Sequence, residues 1–294
     1  MNLDHLPNFF IIGAAKSGTT SLYHYLRQQP QIYFPREKEP HFFDSDTNYA
    51  EGVDAYLQQH FANASSFPIR GEATPWYLYK WEKVIPRMLS IYSDNPPKFV
   101  VLLRDPVKRA WSHYLHMLRN QQENLPFHEA FAQETERLRC DKEKWIGYYS
   151  EGLYVEPLQA WFKAFGRKQF RVYLTEDLAA DPKAVIQDIS SFCEVAGSPC
   201  QLDLSVKNAA SVPVSKSLMR FVTRPPKWAH SITTSVIPKK TRRRWIKIVK
   251  TKNLRKIGKC PLPESEASEL YNLYAQEINS LELLLGRDLS GWRR

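Results

Sequence analysis

The chain has 294 residues, 43% of them hydrophobic, including eight Trp, fifteen Tyr and fifteen Phe. This is enough apolar material for one large core; it excludes a disordered chain, and no stretch reaches the apolar length of a membrane span. The net charge of +10 is unevenly placed, since residues 204–263 hold sixteen Lys and Arg without one Asp or Glu, while the rest carries 25 basic against 31 acidic residues.

Strand and helix signals alternate along the chain, which predicts an α/β fold with a mostly parallel sheet. The apolar run Phe9–Ile12 predicts the first strand, and further strands are expected at Ile32–Phe34, Ile69–Ala73, Phe99–Leu103 and Phe170–Leu174. Helical periodicity falls at Thr20–Gln28, Tyr49–Gln59, Val84–Tyr92, Val107–Asn120, Phe127–Arg139, Val155–Phe165 and Lys183–Cys193. Within 264–286, Leu270, Tyr274, Ile278, Leu281 and Leu285 step by three or four and give a last helix one apolar docking face; Gly286 stands at its C-terminal cap. The acid-free segment 204–263, broken by Pro225, Pro226 and Pro238, reads as a basic, mostly helical insertion or lid within a single domain, 1–294.

The first strand runs into Gly13-Ala-Ala-Lys16-Ser17-Gly18-Thr19-Thr20-Ser21. Small residues, one lysine and a hydroxyl cluster ahead of a helix describe an anion-binding loop, because the first N–H groups of a helix are unpaired and lie at the positive end of its dipole. Gly13 and Gly18 keep the Gly-x4-Gly spacing of a nucleotide-triphosphate loop, yet Thr19 stands where that loop has its lysine. The loop therefore suits a phosphate other than a magnesium-bound triphosphate. The fourth strand runs into Arg104-Asp105-Pro106, where the proline opens a helix at no cost in hydrogen bonds. Both loops begin at carboxyl ends of strands, where open parallel sheets bind ligands.

Lys16-Ser17-Gly18-Thr19-Thr20 resembles the 5′-phosphosulfate loop of sulfotransferases that use 3′-phosphoadenosine 5′-phosphosulfate (PAPS). The stretch from Lys98 through Arg104 and Ser112 to Tyr114 resembles that family's second motif. The resemblance, closest to the polysaccharide-type and bacterial members, implies a P-loop-type central parallel sheet flanked by helices. It implies that Lys16 to Ser21 hold the 5′-phosphosulfate, with Lys16 stabilising the leaving phosphate, and that Arg104 and Ser112 hold the 3′-phosphate. It also implies that no metal is needed. Arg70-Gly-Glu72-Ala-Thr-Pro-Trp-Tyr77 resembles the segment whose glutamate is the general base in heparan-type enzymes, although Ala73 replaces the family's lysine. That makes Glu72 the expected base. Arg36-Glu-Lys38-Glu-Pro-His41-Phe-Phe-Asp44 resembles an element whose lysine points to the reacting site, and His41 is the competing base. His113 and His116 are expected to pack.

Gly152-Leu-Tyr154 resembles a pattern ahead of the fifth strand; Tyr154 reads equally as a neighbour of the cofactor or as a core tyrosine. Thr175-Glu-Asp-Leu178 ends that strand in the family's usual way and reads as structural, and Leu285 to Trp292 closes the resemblance. Residues 207–217 resemble a loop over the nucleotide in which Lys216 clamps the 3′-phosphate, although a plain surface loop fits equally.

Four cysteines, Cys140, Cys193, Cys200 and Cys260, lack metal-ligand spacing. With the first strand starting near Phe9, no signal segment or anchor is expected ahead of it, and the expectation is a cytoplasmic enzyme with reduced cysteines. Two readings of the basic segment stay open, a solvated helical surface or, over 216–259, a patch for an anionic cofactor, acceptor or membrane. No recognition module surrounds it, which argues against nucleic acid. The expected function is sulfuryl transfer from PAPS to a hydroxyl or amine acceptor, leaving adenosine 3′,5′-bisphosphate. A P-loop small-molecule kinase and a non-catalytic nucleotide- or glycan-binding protein are the alternatives.

Overall fold

The computed structural model describes residues 5–92, 95–140, 147–195, 202–204, 211–215, 218, 221–222, 241, 245–246, 248–249, 252–256 and 261–293. The chain divides into two compact units, one of 1–109, 150–207 and 271–294, the other of 110–149 and 208–270.

The first unit is built on a five-stranded sheet of β1 (Phe9–Gly13), β2 (Ile32–Tyr33), β3 (Ile69–Ala73), β4 (Lys98–Leu103) and β5 (Phe170–Leu174). The strands run parallel in the order β2-β3-β1-β4-β5. Every residue of β1 is buried, as a strand covered on both faces must be, which explains its uninterrupted apolar sequence. Phe10, Phe99 and Phe170 share one register across β1, β4 and β5, with ring centroids 6.0 and 4.7 Å apart. Such cross-strand aromatic contacts fix the pairing beneath the site. The register of β1 on β4 slips between Ile11 and Gly13, immediately before the loop.

All five expected strands are present. The helices α1 (Thr19–Leu26), α4 (Trp81–Leu89), α5 (Pro106–Arg119), α8 (Val155–Phe165) and α10 (Pro182–Phe192) follow the periodicity within a few residues. Two expected helices are each divided in two. Gly52, with φ of 85°, separates α2 (Asp46–Ala50) from α3 (Val53–His60), and a break at Gln133 separates α6 (Phe127–Ala132) from α7 (Glu134–Cys140). A short α9 (Thr175–Ala180) follows β5 directly.

The last helix, α11 (Glu264–Leu285), buries Leu270, Tyr274, Ile278 and Leu281 as its spacing required, while Leu285 is half-buried. Gly286 ends it at φ of 62°, in the left-handed region glycine tolerates best. From α11, Glu277 accepts the N–H groups of Tyr154 and Val155 at 2.6 and 2.7 Å, capping α8. In the second unit, β6 (Ser211–Pro213) and β7 (Leu254–Lys256) pair antiparallel. Buried Asn253 donates to Ser215 O at 2.8 Å and accepts from Ser215 N at 2.9 Å. Among the described residues no helix is long and apolar enough to cross a membrane.

The close approach of Leu78 explains the first glycine of the loop. Leu78 N–H donates to Ile12 O at 2.8 Å, and a Cβ on Gly13 would lie 2.5 Å from Leu78 Cβ. Since Leu78 Cβ moves only with its backbone, Gly13→Ala should cost about 1–3 kcal/mol by overpacking. A denaturant midpoint equal to the parent's would contradict this packing.

Candidate active site

The sheet order sets the carboxyl ends of β3, β1, β4 and β5 side by side, so the segments that follow them meet at one edge. The turn after β1 is drawn back onto β4 by Ala14 N–H, which donates to Leu102 O at 2.8 Å. It is tightened by Ser17 N–H to Ala14 O at 3.3 Å. Lys16 has φ of 70° and Gly18 φ of 94°. A non-glycine residue held in the left-handed region carries strain that the surroundings must sustain, and such residues concentrate at functional sites.

Gly18 caps α1 without any side-chain acceptor, and no acidic residue stands in the first turn. Among the described residues, none accepts a hydrogen bond from the N–H groups of Gly18, Thr19 or Thr20. An anion bound there would satisfy these donors and meet the helix dipole. The hydroxyls are not equivalent: Ser17, Thr19 and Ser21 are buried, and Thr20 is half-buried. Ser17 is fully enclosed, with its side chain beside the Tyr154 hydroxyl.

Arg104, at the end of β4, reaches back so that Nη1 donates to Lys16 O at 3.2 Å. The two phosphate-loop candidates therefore touch. Tyr154, 1% exposed, donates its hydroxyl to Arg104 O at 2.9 Å and so belongs to this cluster. Burial lowers the Arg104 pKa and raises that of Tyr154. Asp105 is fully buried and caps α5, accepting from Val107 N and Lys108 N at 2.9 and 3.2 Å, with Pro106 as the first helical residue. Ser112 is half-buried on α5, within the second unit, and Lys216 lies outside the described residues.

A second cluster surrounds Glu72 on β3. Its carboxylate is completely buried and accepts from Tyr56 Oη and from Thr74 Oγ1, the latter at 2.7 Å. Tyr77 also bonds to Glu72, and its hydroxyl oxygen accepts Phe42 N–H and Phe43 N–H at 3.1 and 3.2 Å. With those two places taken by donors, the one Tyr77 proton is left for the carboxylate. Burial raises the pKa of Glu72 to about 7, against the lowering effect of its three hydroxyl donors.

Tyr77 ties this carboxylate to the loop that holds the other candidates. Glu39 and His41 both adopt positive φ, 65° and 54°, on either side of Pro40. Lys38 Nζ lies 2.5 Å from Glu39 Oε1, and His41 Nδ1 lies 2.9 Å from Asp44 Oδ2. Burial would lower the His41 pKa, but its bonds to Asp44 and Glu39 outweigh burial and hold it at about 9. His41 is therefore an imidazolium at neutral pH, a poor proton acceptor. His113 is buried against Tyr148, with ring centroids 5.3 Å apart, and His116 bonds to Arg119 and Asn120, so both pack as expected.

Beside the loop, Ala14, Ala15, Trp76, Tyr79, Glu151 and Tyr154 border a cleft of about 290 Å³, including the space at its mouth. Its Glu151 is held by the buried Arg109 at 3.1 Å. The spacing did not single out Tyr56, because α3 carries it on an ordinary apolar face. Tyr77 was signalled only by closing the Glu72 segment.

The His41 pKa has a stability consequence. A histidine raised from 6.5 to about 9 on folding stabilises fully below pH 6.5, and that contribution vanishes as pH rises through about 9. The melting-temperature loss from His41→Ala should therefore be large at pH 6 and small at pH 10; an equal loss at both would remove the ion pairs from the account.

The chain resembles proteins of known kind over most of its length. It is 26% identical over 271 residues to membrane-associated sulfotransferase kil1 of Dictyostelium discoideum, covering 65% of this chain and 56% of that protein. It is 27% identical over 205 residues to heparan sulfate glucosamine 3-O-sulfotransferase 5 of Mus musculus, covering 69% and 57%. The chain thus spans little more than half the length of these curated relatives. A sulfotransferase structure from Alicyclobacillus acidocaldarius superposes with a TM-score of 0.73 at 30% identity, covering 98% of this chain and 99% of that one. The sulfotransferase domain family matches residues 6–259, and the chain belongs to that family.

Proposed function

We propose that this protein moves the sulfuryl group of PAPS to a hydroxyl or amine acceptor. The observation that carries this reading is the uncapped start of α1 beside a guanidinium bonded to the same loop. One end of a bisphosphorylated nucleotide fits the N–H groups of Gly18, Thr19 and Thr20, and the other fits Arg104. The open donors suit a phosphate, and the family resemblance supports PAPS as the donor.

PAPS supplies an activated sulfuryl group whose S–O bond to phosphate breaks as a new S–O or S–N bond forms to the acceptor. By analogy with loose phosphoryl transfer, the protein chiefly aligns the partners and stabilises charge on the departing phosphate oxygen. Lys16 and the α1 N–H groups carry that charge, and adenosine 3′,5′-bisphosphate leaves. Lys38 and His41, each paired with a carboxylate of its own loop, order the segment that Tyr77 joins to Glu72.

The acceptor proton goes to Glu72. A carboxylate near pKa 7 has the affinity that general-base catalysis at neutral pH requires, whereas His41 already holds its proton. An acceptor hydroxyl reaches Glu72 by taking the place of one of the donors Tyr56, Thr74 or Tyr77. Labelled PAPS offered with glycans, amines and phenols tests the reaction and identifies the acceptor. With that acceptor, kcat/KM should rise with pH through about 7 as Glu72 loses its proton. Glu72→Gln should cost roughly a hundredfold or more, with nucleotide affinity near the parent's. An active Glu72→Gln enzyme would move the base elsewhere.

We read the acid-free segment as the contact for an anionic partner, a membrane surface or the acceptor itself. Among the described residues, eight large apolar side chains are exposed, and five of these fall in this segment: Val214, Leu218, Phe221, Trp245 and Ile248. Apolar side chains in an acid-free, cation-rich segment favour a lipid surface over a bare polyanion. Retention on phosphatidylserine-containing vesicles should fall steeply with salt, and binding that is equal on neutral vesicles would contradict this reading.

A further inference from the structure

Two motifs remain without a part in this chemistry, Thr175-Glu-Asp-Leu178 and the closing stretch from Leu285 to Trp292. The structure joins them to each other and to both phosphate loops. Thr175 Oγ1 lies 3.0 Å from Ser17 O and 2.9 Å from Leu103 O, so its one hydroxyl proton is shared between the two carbonyls. Ser17 immediately precedes Gly18, the first open donor of one loop. Leu103 immediately precedes Arg104, the cation of the other.

We propose that Thr175 is a positioning residue that sets the distance between the two phosphate-gripping loops, and that the C-terminal stretch holds it in place. The inference rests on the bisphosphate reading above and adds to it a named determinant of its geometry. A nucleotide bound at both ends needs its two sites held to a fraction of an ångström. The bond from Arg104 to Lys16 O is a poor gauge for this, because a ligand phosphate competes for the same guanidinium. The Thr175 bonds use only its own hydroxyl and two carbonyls, none of which a phosphate would engage, so they persist when ligand enters.

What fixes Thr175 is the short helix it begins. Asp177 Oδ2 accepts Leu174 N–H at 2.8 Å and Arg287 Nη1 at 2.7 Å, while Oδ1 accepts Arg287 Nη2 at 2.9 Å. A two-pronged guanidinium–carboxylate pair fixes orientation as well as distance. Trp292 Nε1 donates to Glu176 Oε1 at 3.3 Å, a second tie between the same segments. Leu178 packs beneath the loop, 3.8 Å from where a Cβ on Gly18 would stand. The chain terminus thereby reaches the nucleotide site through α9 without touching it.

The test is calorimetric binding of adenosine 3′,5′-bisphosphate by the full chain and its variants. Thr175→Val keeps the shape and removes the hydroxyl. It should weaken binding about five- to tenfold, the worth of one hydrogen bond, and raise KM for PAPS more than it lowers kcat. Thr175→Ser should restore affinity to within about twofold. Arg287→Ala should weaken binding in the parent but add little to Thr175→Val, since it acts through that residue. The inference is overturned if Thr175→Val, folded by circular dichroism, binds as the parent does, or if the Arg287→Ala and Thr175→Val losses simply multiply. A parent chain that fails to bind the bisphosphate at all would overturn the functional reading along with it, which separates the two failures.

Discussion

An α-helix that starts on a bare glycine, with N–H groups unmatched by any described acceptor, is the constraint on which the rest of this molecule turns. Unpaired donors at a helix start are costly to enclose and useful only where an anion arrives. The surroundings are arranged to preserve that state. Gly13 lets Leu78 pack against the turn, Lys16 and Gly18 take up left-handed backbone, and Arg104 and Thr175 secure the turn's carbonyls from the neighbouring strands. Polar contacts go to the carbonyl side of the loop, which leaves its N–H side for ligand.

The Glu72 cluster follows the opposite logic. There the carboxylate has donors on every side, yet burial outweighs them and keeps its proton affinity near neutrality. A nearby cation would have removed that property. Asp44 and Glu39 bind His41, so this loop's imidazolium is directed at its own carboxylates. Burial, and after it the Glu72 charge, push Tyr56, Tyr77 and Tyr92 to higher pKa. The arrangement costs stability progressively as pH rises from 4.5 through about 7, where the folded state holds a proton the unfolded chain has released, and the cost is complete above that. Carboxylates perturbed in this way concentrate at functional sites.

Much of this architecture could be read from residue order. A strand buried on both faces must be continuously apolar, so β1 and β4 were visible, and the spacing of Leu270, Tyr274, Ile278 and Leu281 disclosed the docked face of α11. Glycine spacing and the displaced Lys16 marked the anion loop. Long-range pairings were not visible. Nothing local says that Thr175 spans to residue 17, that Arg287 reaches Asp177, or that Tyr56 finds Glu72, because these contacts depend on strand order. The split at Gly52 is a local event, but a single glycine inside a helical pattern is compatible with continuing or ending it. The inward turn of Ser17, Thr19 and Ser21 depends on loop geometry that has no sequence period.

The measurement that addresses the central claim most directly is the affinity of Arg104→Ala for two nucleotides that differ only in the 3′-phosphate. Adenosine 3′,5′-bisphosphate should lose far more affinity than adenosine 5′-phosphate, whose one phosphate sits on the α1 N–H groups. Equal losses for the two would mean that Arg104 grips no second phosphate, and the two-ended account of this site would fail.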